Sequence, residues 1–221
     1  MPSALILGAS RGLGLGLAGE FASRGWAVTG TVRQAADRGV LEAAGARALL
    51  CDITDAATVA GLGAQIVAGL DLLFINAGVI GPKHQDAGQA TAAEAGALFL
   101  TNAIAPVAAA RALLDRLAPD GVLAFMTSRM GSVALNERGD LELYRASKAA
   151  LNSLTRSMVA KLGQPRTVLS LHPGWVQTDM GGQGADLDVP ASVRALADVI
   201  VAARGTPGLR FLDYSGAELA W

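Results

Sequence analysis

Seven short, nearly uninterrupted apolar runs recur along the chain: Ala4–Leu7, Ala27–Val32, Ala48–Cys51, Leu72–Ile75, Val122–Met126, Val168–Leu171 and Leu209–Leu212. A strand with one wetted face alternates apolar and polar residues. A run without that alternation belongs to a sheet covered on both sides. Between the runs lie Ala-rich stretches of helical character at Leu13–Ser23, Asp55–Leu70, Thr91–Leu117, Tyr144–Leu162 and Val189–Ala203. Repeated strand–helix units restrict the chain to an α/β fold: a doubly wound, parallel, seven-stranded sheet with helices on both faces. At 221 residues this is a single domain spanning 1–221.

Apolar residues make up 52% of the chain and charged ones 17%, against roughly 25% charged in an ordinary globular chain. The surplus supplies a large core and a buried subunit interface. A net charge of −1 leaves no electrostatic footprint for nucleic acid or an anionic membrane. The single cysteine, Cys51, excludes an internal disulfide framework and suits a reducing, cytoplasmic compartment; its place in an apolar run makes it a buried strand residue. Met1-Pro2-Ser3 leads straight into the first run, without the basic start or cleavage site of a signal peptide. The uncharged stretch Ala95–Ala110 is too short to span a bilayer and contains Gly96, Asn102 and Pro106, so a buried helix is expected there.

The loosest segments, Gly78–Ala90, Gly131–Leu143 and Gly181–Leu187, all follow strands. Ligands bind open α/β sheets at those ends. The first run leads into Gly8-Ala9-Ser10-Arg11-Gly12-Leu13-Gly14 and then a helix. Glycines there let backbone approach a pyrophosphate, and the helix start offers N–H donors. Asp52, followed by Ile53, ends the third run, where a carboxylate either accepts from an adenine amino group or caps the next helix. Asn76-Ala77-Gly78 ends the fourth. At the end of the second run stands Arg33, with no acid from Val28 to Ala36, and Arg11 lies close by in the glycine turn. An acid there would hold the ribose hydroxyls of NAD; arginine accommodates the 2′-phosphate of NADP, so NADPH is expected over NADH. No metal is expected.

Tyr144 and Lys148 are four residues apart and share a helix face. An ammonium beside a phenol stabilises the phenolate and draws its pKa down from about 10, which suits general acid–base work. Ser128 ends the fifth run and could hydrogen-bond a carbonyl; Thr127 and Ser132 are rivals if the strand register differs. Pro106 has no N–H, so the carbonyl of Asn102 loses its helical partner, and a kink with a water-binding carbonyl is expected. After the sixth run, Pro173-Gly174 turns the backbone across the sheet end, carrying Val176 and placing Thr178 to meet a nicotinamide amide. His172, just before that proline and without a Ser–His–Asp pattern around it, is read as structural.

This ordered set resembles the short-chain dehydrogenase/reductase family over essentially the whole chain. Two mild departures are Leu7, where the family usually has Thr, and Ile75, where it often has Asn. The segments Met130–Val133, Tyr144–Asn152 and His172–Gly182, with the ending Phe211–Trp221, are similar to the sniffer/C-factor branch of carbonyl reductases. The resemblance implies a Rossmann fold and a catalytic tetrad of Asn102, Ser128, Tyr144 and Lys148. It implies a cofactor held by the glycine turn (Gly8, Ser10, Arg11, Gly12, Leu13, Gly14), by Arg33, Asp52 and Ile53, and by Asn76, Ala77 and Gly78. Tyr144, Lys148, Pro173, Gly174, Val176 and Thr178 complete that set. It further implies hydride transfer from NADPH to a small aldehyde or ketone, and a homodimer or homotetramer paired through Thr91–Leu117 and Tyr144–Leu162; the shortness of the segment after Pro173-Gly174 predicts a shallow, open pocket and broad specificity. Some members of the branch act in signalling, so a nucleotide-binding scaffold with little turnover is the competing expectation. An NAD-linked alcohol dehydrogenase is a third, opposed by Arg33.

Overall fold

A computed structural model describes residues 1–221. Seven strands, β1 (Ser3–Leu7), β2 (Ala27–Val32), β3 (Arg47–Leu50), β4 (Leu70–Ile75), β5 (Leu117–Met126), β6 (Thr167–His172) and β7 (Gly208–Asp213), form one sheet in the order 3-2-1-4-5-6-7. All neighbours are parallel. The helices are α1 (Gly12–Ser23), α2 (Arg38–Ala43), α3 (Ala56–Gln65), α4 (Ala92–Phe99), α5 (Ala105–Leu113), α6 (Glu142–Val159) and α7 (Val189–Ala203).

The uninterrupted apolar runs follow from burial on both faces. Successive strand residues point to opposite sides. Ala4, Ile6, Leu72, Phe74 and Ala124 therefore join α1 and α7 in one core, through Leu17, Phe21, Leu196 and Ile200. Leu5, Leu7, Leu73, Ile75 and Phe125 join α3, α5 and α6 in the other, through Leu62, Val107, Leu113, Leu151 and Met158. Fully burying a side chain of this size contributes about 1.5–3 kcal/mol, so these two layers dominate the stability.

Several boundaries differ from the sequence reading, each for a local reason. The helix expected over Thr91–Leu117 is broken. Between α4 and α5 lies a π-turn at Leu100–Ile104, in which the N–H of Ala105 donates to the carbonyl of Leu100. Pro106, near the start of α5, cannot donate, and the wider turn absorbs the defect. The composite run Ala92–Arg116 is long and apolar enough to cross a membrane by length and composition, but its inner side carries Ala105, Val107, Ala109 and Leu113 of the core. The helix expected over Asp55–Leu70 ends at Gln65, and Leu70 opens β4 after Gly69 turns the chain at φ 98°. β5 begins at Leu117, five residues before the expected Val122; Leu70 pairs with Leu117, and the register slips before Leu72 pairs with Val122. Helix α2 was not expected: Leu41 is its one buried side chain, so it shows no apolar stripe.

Strand order reverses between β1 and β4, each of which leads away to a different side of the sheet. The crevice outside those two strand ends is where such sheets bind ligands. The glycine turn follows β1 and Asn76 follows β4, so both stand at that crevice.

Candidate active site

The glycine turn is held from two sides. The Gly8 N–H donates to Thr31 Oγ1 of β2 (2.9 Å), and Asn76 Nδ2 donates to the Gly8 carbonyl (2.6 Å). Gly8 has φ 85°, and a Cβ there would lie 2.9 Å from Ala77. At Gly14 a Cβ would fall 2.0 Å from the Gly8 carbonyl, so only glycine lets the helix start this close to the turn. A Cβ on Gly12 would lie 3.6 Å from the Thr178 methyl, so the turn and the segment after β6 stand next to each other. Ser10 and Leu13 are half-buried there. Arg11, the N-cap residue of α1, makes no side-chain cap, which leaves the first-turn N–H groups available to an anion. Backbone donors, a side-chain-free approach and a facing Thr178 fit a dinucleotide pyrophosphate.

At the far end of the cleft Arg33 is exposed just beyond β2. Asp52 accepts from the Thr54 N–H (2.9 Å) and hydroxyl (2.7 Å), which hold its carboxyl below the usual range, with the Arg33 charge assisting. The α3 cap is Asp55, which accepts from the Ala57 N–H, so Asp52 is not the helix cap. Ile53 is buried beneath. Arg11 does not turn toward Arg33; it pairs with Asp179 at 2.5 Å, both side chains being largely exposed. Exposed pairs of this kind contribute about 0–1 kcal/mol, so Arg11 is released at little cost.

The second half of the cleft is built on β5, α6 and the segment after β6. Tyr144 is 8% exposed, and Ser128 is the hydroxyl beside its phenol. The rivals point elsewhere: Thr127 is buried with no partner, and Ser132 accepts from the Leu135 N–H (3.0 Å). Lys148 is 3% exposed; its Nζ donates to the Met126 carbonyl (3.0 Å) and lies 5.8 Å from the Tyr144 ring centroid. A Cβ on Gly78 would stand 3.2 Å from that Nζ and 3.4 Å from Asn102 Oδ1, so Gly78, Asn102 and Lys148 meet at one point.

Asn102 is fully buried within the π-turn, and its amide is entirely committed. Oδ1 accepts from the Val79 N–H (2.8 Å), while Nδ2 donates to the Val79 carbonyl (2.8 Å) and to Ser147 Oγ (2.9 Å). Ser147 in turn donates to the Tyr144 carbonyl (2.7 Å). Asn102 thus ties the strand-β4 loop to the helix that carries Tyr144. Pro173 accepts from Ser192 Oγ (2.7 Å), and Gly174 has φ 84° with Leu187 2.5 Å from where a Cβ would sit. Val176 is buried and bridges Leu187, and Thr178 Oγ1 accepts from the Gly181 N–H (3.1 Å). His172 is pushed down to about 4 by burial, and its Nδ1 has no partner; it is neutral at pH 7.

The electrostatics differ from the sequence expectation. Burial raises the Tyr144 phenol to about 12, only partly opposed by Ser128, and lowers Lys148 to about 8. Taking each group from water disfavours its charged form, and the ammonium is directed at the Met126 carbonyl rather than at the phenol oxygen. At neutral pH Tyr144 therefore carries its proton and Lys148 its charge. A buried neutral phenol beside a hydroxyl and an ammonium can give a proton to an oxygen bearing developing negative charge. Ser147 and the Met126 carbonyl are site groups that the sequence reading does not single out. Ser147 stands inside the Tyr144–Lys148 motif but has no signal of its own, and backbone carbonyls have none in any sequence.

Residues 2–186 match the family model described as short chain dehydrogenase. A carbonyl reductase from Pseudomonas aeruginosa PAO1, solved in complex with NADP, is 41% identical with a TM-score of 0.92, covering 100% of this chain and 100% of its own. The carbonyl reductase Sniffer of D. melanogaster is 32% identical with a TM-score of 0.88, again over 100% of both chains. The C-signal of Myxococcus xanthus is 44% identical over 157 residues, 69% of this chain and 93% of its own.

Proposed function

The chain belongs to the short-chain dehydrogenase family of oxidoreductases, and from that premise we propose that it reduces the carbonyl of small aldehydes and ketones with NADPH. The observation that carries the reading is the burial of Ser128, Tyr144 and Lys148 together at the open end of β5, with the phenol held protonated. A phenol and an ammonium withdrawn from water cost stability. A nucleotide binder has no use for them; a proton donor does. NADPH, when bound, supplies a hydride. Ser128 donates to the substrate carbonyl oxygen and fixes it beside Tyr144. Tyr144 gives that oxygen its proton. Lys148 holds positive charge near the phenolate left behind and binds the nicotinamide ribose. Asn102 fixes the Tyr144 helix through Ser147, and its carbonyl in the π-turn anchors a water that returns a proton toward Lys148. The glycine turn, Asn76–Gly78 and Thr178 hold the dinucleotide. The test is NADPH consumption over a panel of aldehydes, ketones and quinones; no consumption above background on any of them contradicts the reading.

Cofactor choice rests on Arg33, exposed just beyond β2 where the adenosine ribose would lie, with no acid in the chain from Val28 to Ala36. NADPH should bind at least tenfold more tightly than NADH, about 1.4 kcal/mol, in a fluorescence titration. Arg33→Asp should erase or reverse the difference, and equal affinities in the wild-type chain would remove the argument.

We further place this protein in the cytoplasm as a homodimer or homotetramer. Leu100 and Ile104 are exposed apolar side chains on the α4–α5 run, 39% and 53% accessible, and a subunit interface would cover them. Light scattering at micromolar concentration should give at least a dimer. A second reading, a nucleotide-binding signalling protein with little turnover, is favoured by the similarity to C-signal; the carbonyl panel separates the two.

A further inference from the structure

Helix α6 begins without a cap of its own. Leu141, at its N-cap position, is left-handed (φ 51°) and has no hydrogen-bonding side chain. The first N–H groups of a helix have no intrahelical partners, and a neighbouring side chain normally satisfies them. Here the partner comes from 59 residues away. The Tyr144 N–H donates to Gln85 Oε1 (3.0 Å), and the Leu143 N–H to the Gln85 carbonyl (3.4 Å). Gln85 is 7% exposed and itself left-handed, with φ 55°. Its Nε2 donates to the carbonyls of Ile80 (2.9 Å) and Pro82 (2.6 Å), which fixes the amide orientation. The same loop is fastened again where the Ala87 N–H donates to Glu142 (2.9 Å).

We propose that Gln85 is a positioning residue for Tyr144, capping its helix from the β4 loop and setting where the phenol stands against the substrate; this rests on the reductase reading above. The loop leaves Asn76–Gly78 at the nucleotide cleft and is gripped at Val79 by Asn102. One continuous segment thus joins the glycine turn, through Asn76, to the backbone of Tyr144. Gln85 uses three atoms, Oε1, Nε2 and its backbone carbonyl oxygen, in four hydrogen bonds to its neighbours. The left-handed backbone aims them inward.

Two variants isolate the side chain. Gln85→Gly keeps the left-handed turn without strain and removes the amide. Gln85→Asn also tolerates that backbone and is one methylene too short to reach Tyr144. Both should lower kcat by about tenfold, the order expected when a reacting group is displaced by a fraction of an ångström, with the Kd for NADPH within about twofold of wild type. Amide hydrogen exchange over residues 142–147 of the free protein should quicken in both, because the Tyr144 N–H loses its acceptor. Faster exchange with wild-type kcat would overturn the positioning role, and unchanged exchange would overturn the tether. A general loss of packing would instead raise exchange throughout α6 and weaken NADPH binding in parallel, which also counts against the proposal. A wild-type chain inert toward every carbonyl is a different failure: it removes the reductase reading, and the role of Gln85 with it.

Discussion

Tyr144→Phe is expected to lower carbonyl reduction by at least about a hundredfold, the lower end of what general acid catalysis contributes. The substitution deletes one oxygen and leaves the buried ring in place, so the fold and the nucleotide cleft are undisturbed. The affinity for NADPH should stay within about twofold, because a group acting only in the chemical step leaves ground-state binding intact. Burial gives this prediction its sign: the phenol is pushed up to about 12, so it enters the reaction protonated at any physiological pH. Retention of near-full activity on a good substrate would assign the proton to another group and leave the nucleotide-binding scaffold as the better account.

Lys148→Met should cost about as much, for a different reason. The Lys148 ammonium, 5.8 Å from the Tyr144 ring centroid, leaves the resting phenol protonated but stabilises the negative charge that develops on it as the proton departs. Removing it leaves Tyr144 a poor proton donor, and the loss should be on the order of a hundredfold. The pH profile distinguishes the two variants. Burial lowers Lys148 to about 8, so in the wild-type chain the ammonium is present below that pH and lost above it. Reductase kcat/KM should therefore fall as pH rises through about 8, and that falling limb should be absent in Lys148→Met. On the proposed role of Lys148 in holding the nicotinamide ribose, NADPH binding should also weaken. A limb that persists in the variant would belong to some other group.

Much of this site is legible in the chain, because its parts are local and ordered. Gly8, Gly12 and Gly14 are recognisable by their spacing after an apolar run, and the structure shows the need for two of them in atoms that leave no room for a Cβ. Helix α7 coincides with its sequence boundaries, Val189–Ala203, where Asp188 caps the start and an apolar stripe runs along one side. Pro106 announces a defect in the long helix; that the defect takes the form of a π-turn depends on how Asn102 is gripped by Val79 and Ser147.

What was not legible depends on burial and on distant contacts. Tyr144 and Lys148 suggest an ion-paired phenolate when read as two residues on one helix face. In the fold both are stripped of water, and Lys148 turns to the Met126 carbonyl, so the phenol rises instead of falling. Arg11 and Arg33 look like one phosphate clamp by their positions, but Asp179 arrives from the segment after β6 to take Arg11. Gln85 carries no mark in the sequence at all. A lone glutamine in a loop acquires a role only when a left-handed backbone turns it inward and a helix begins without a cap on the far side of the chain.

The most direct test follows the hydrogen itself. NADPH carrying deuterium at the transferring position of C4 is supplied with an aldehyde or ketone that the panel shows to be consumed, and the alcohol is analysed by mass spectrometry and NMR. The account predicts one deuterium on the carbinol carbon, none when the label is in solvent water, and one alcohol formed for each NADPH oxidised. Label absent from the carbinol carbon, or NADPH bound with no alcohol formed, would contradict it.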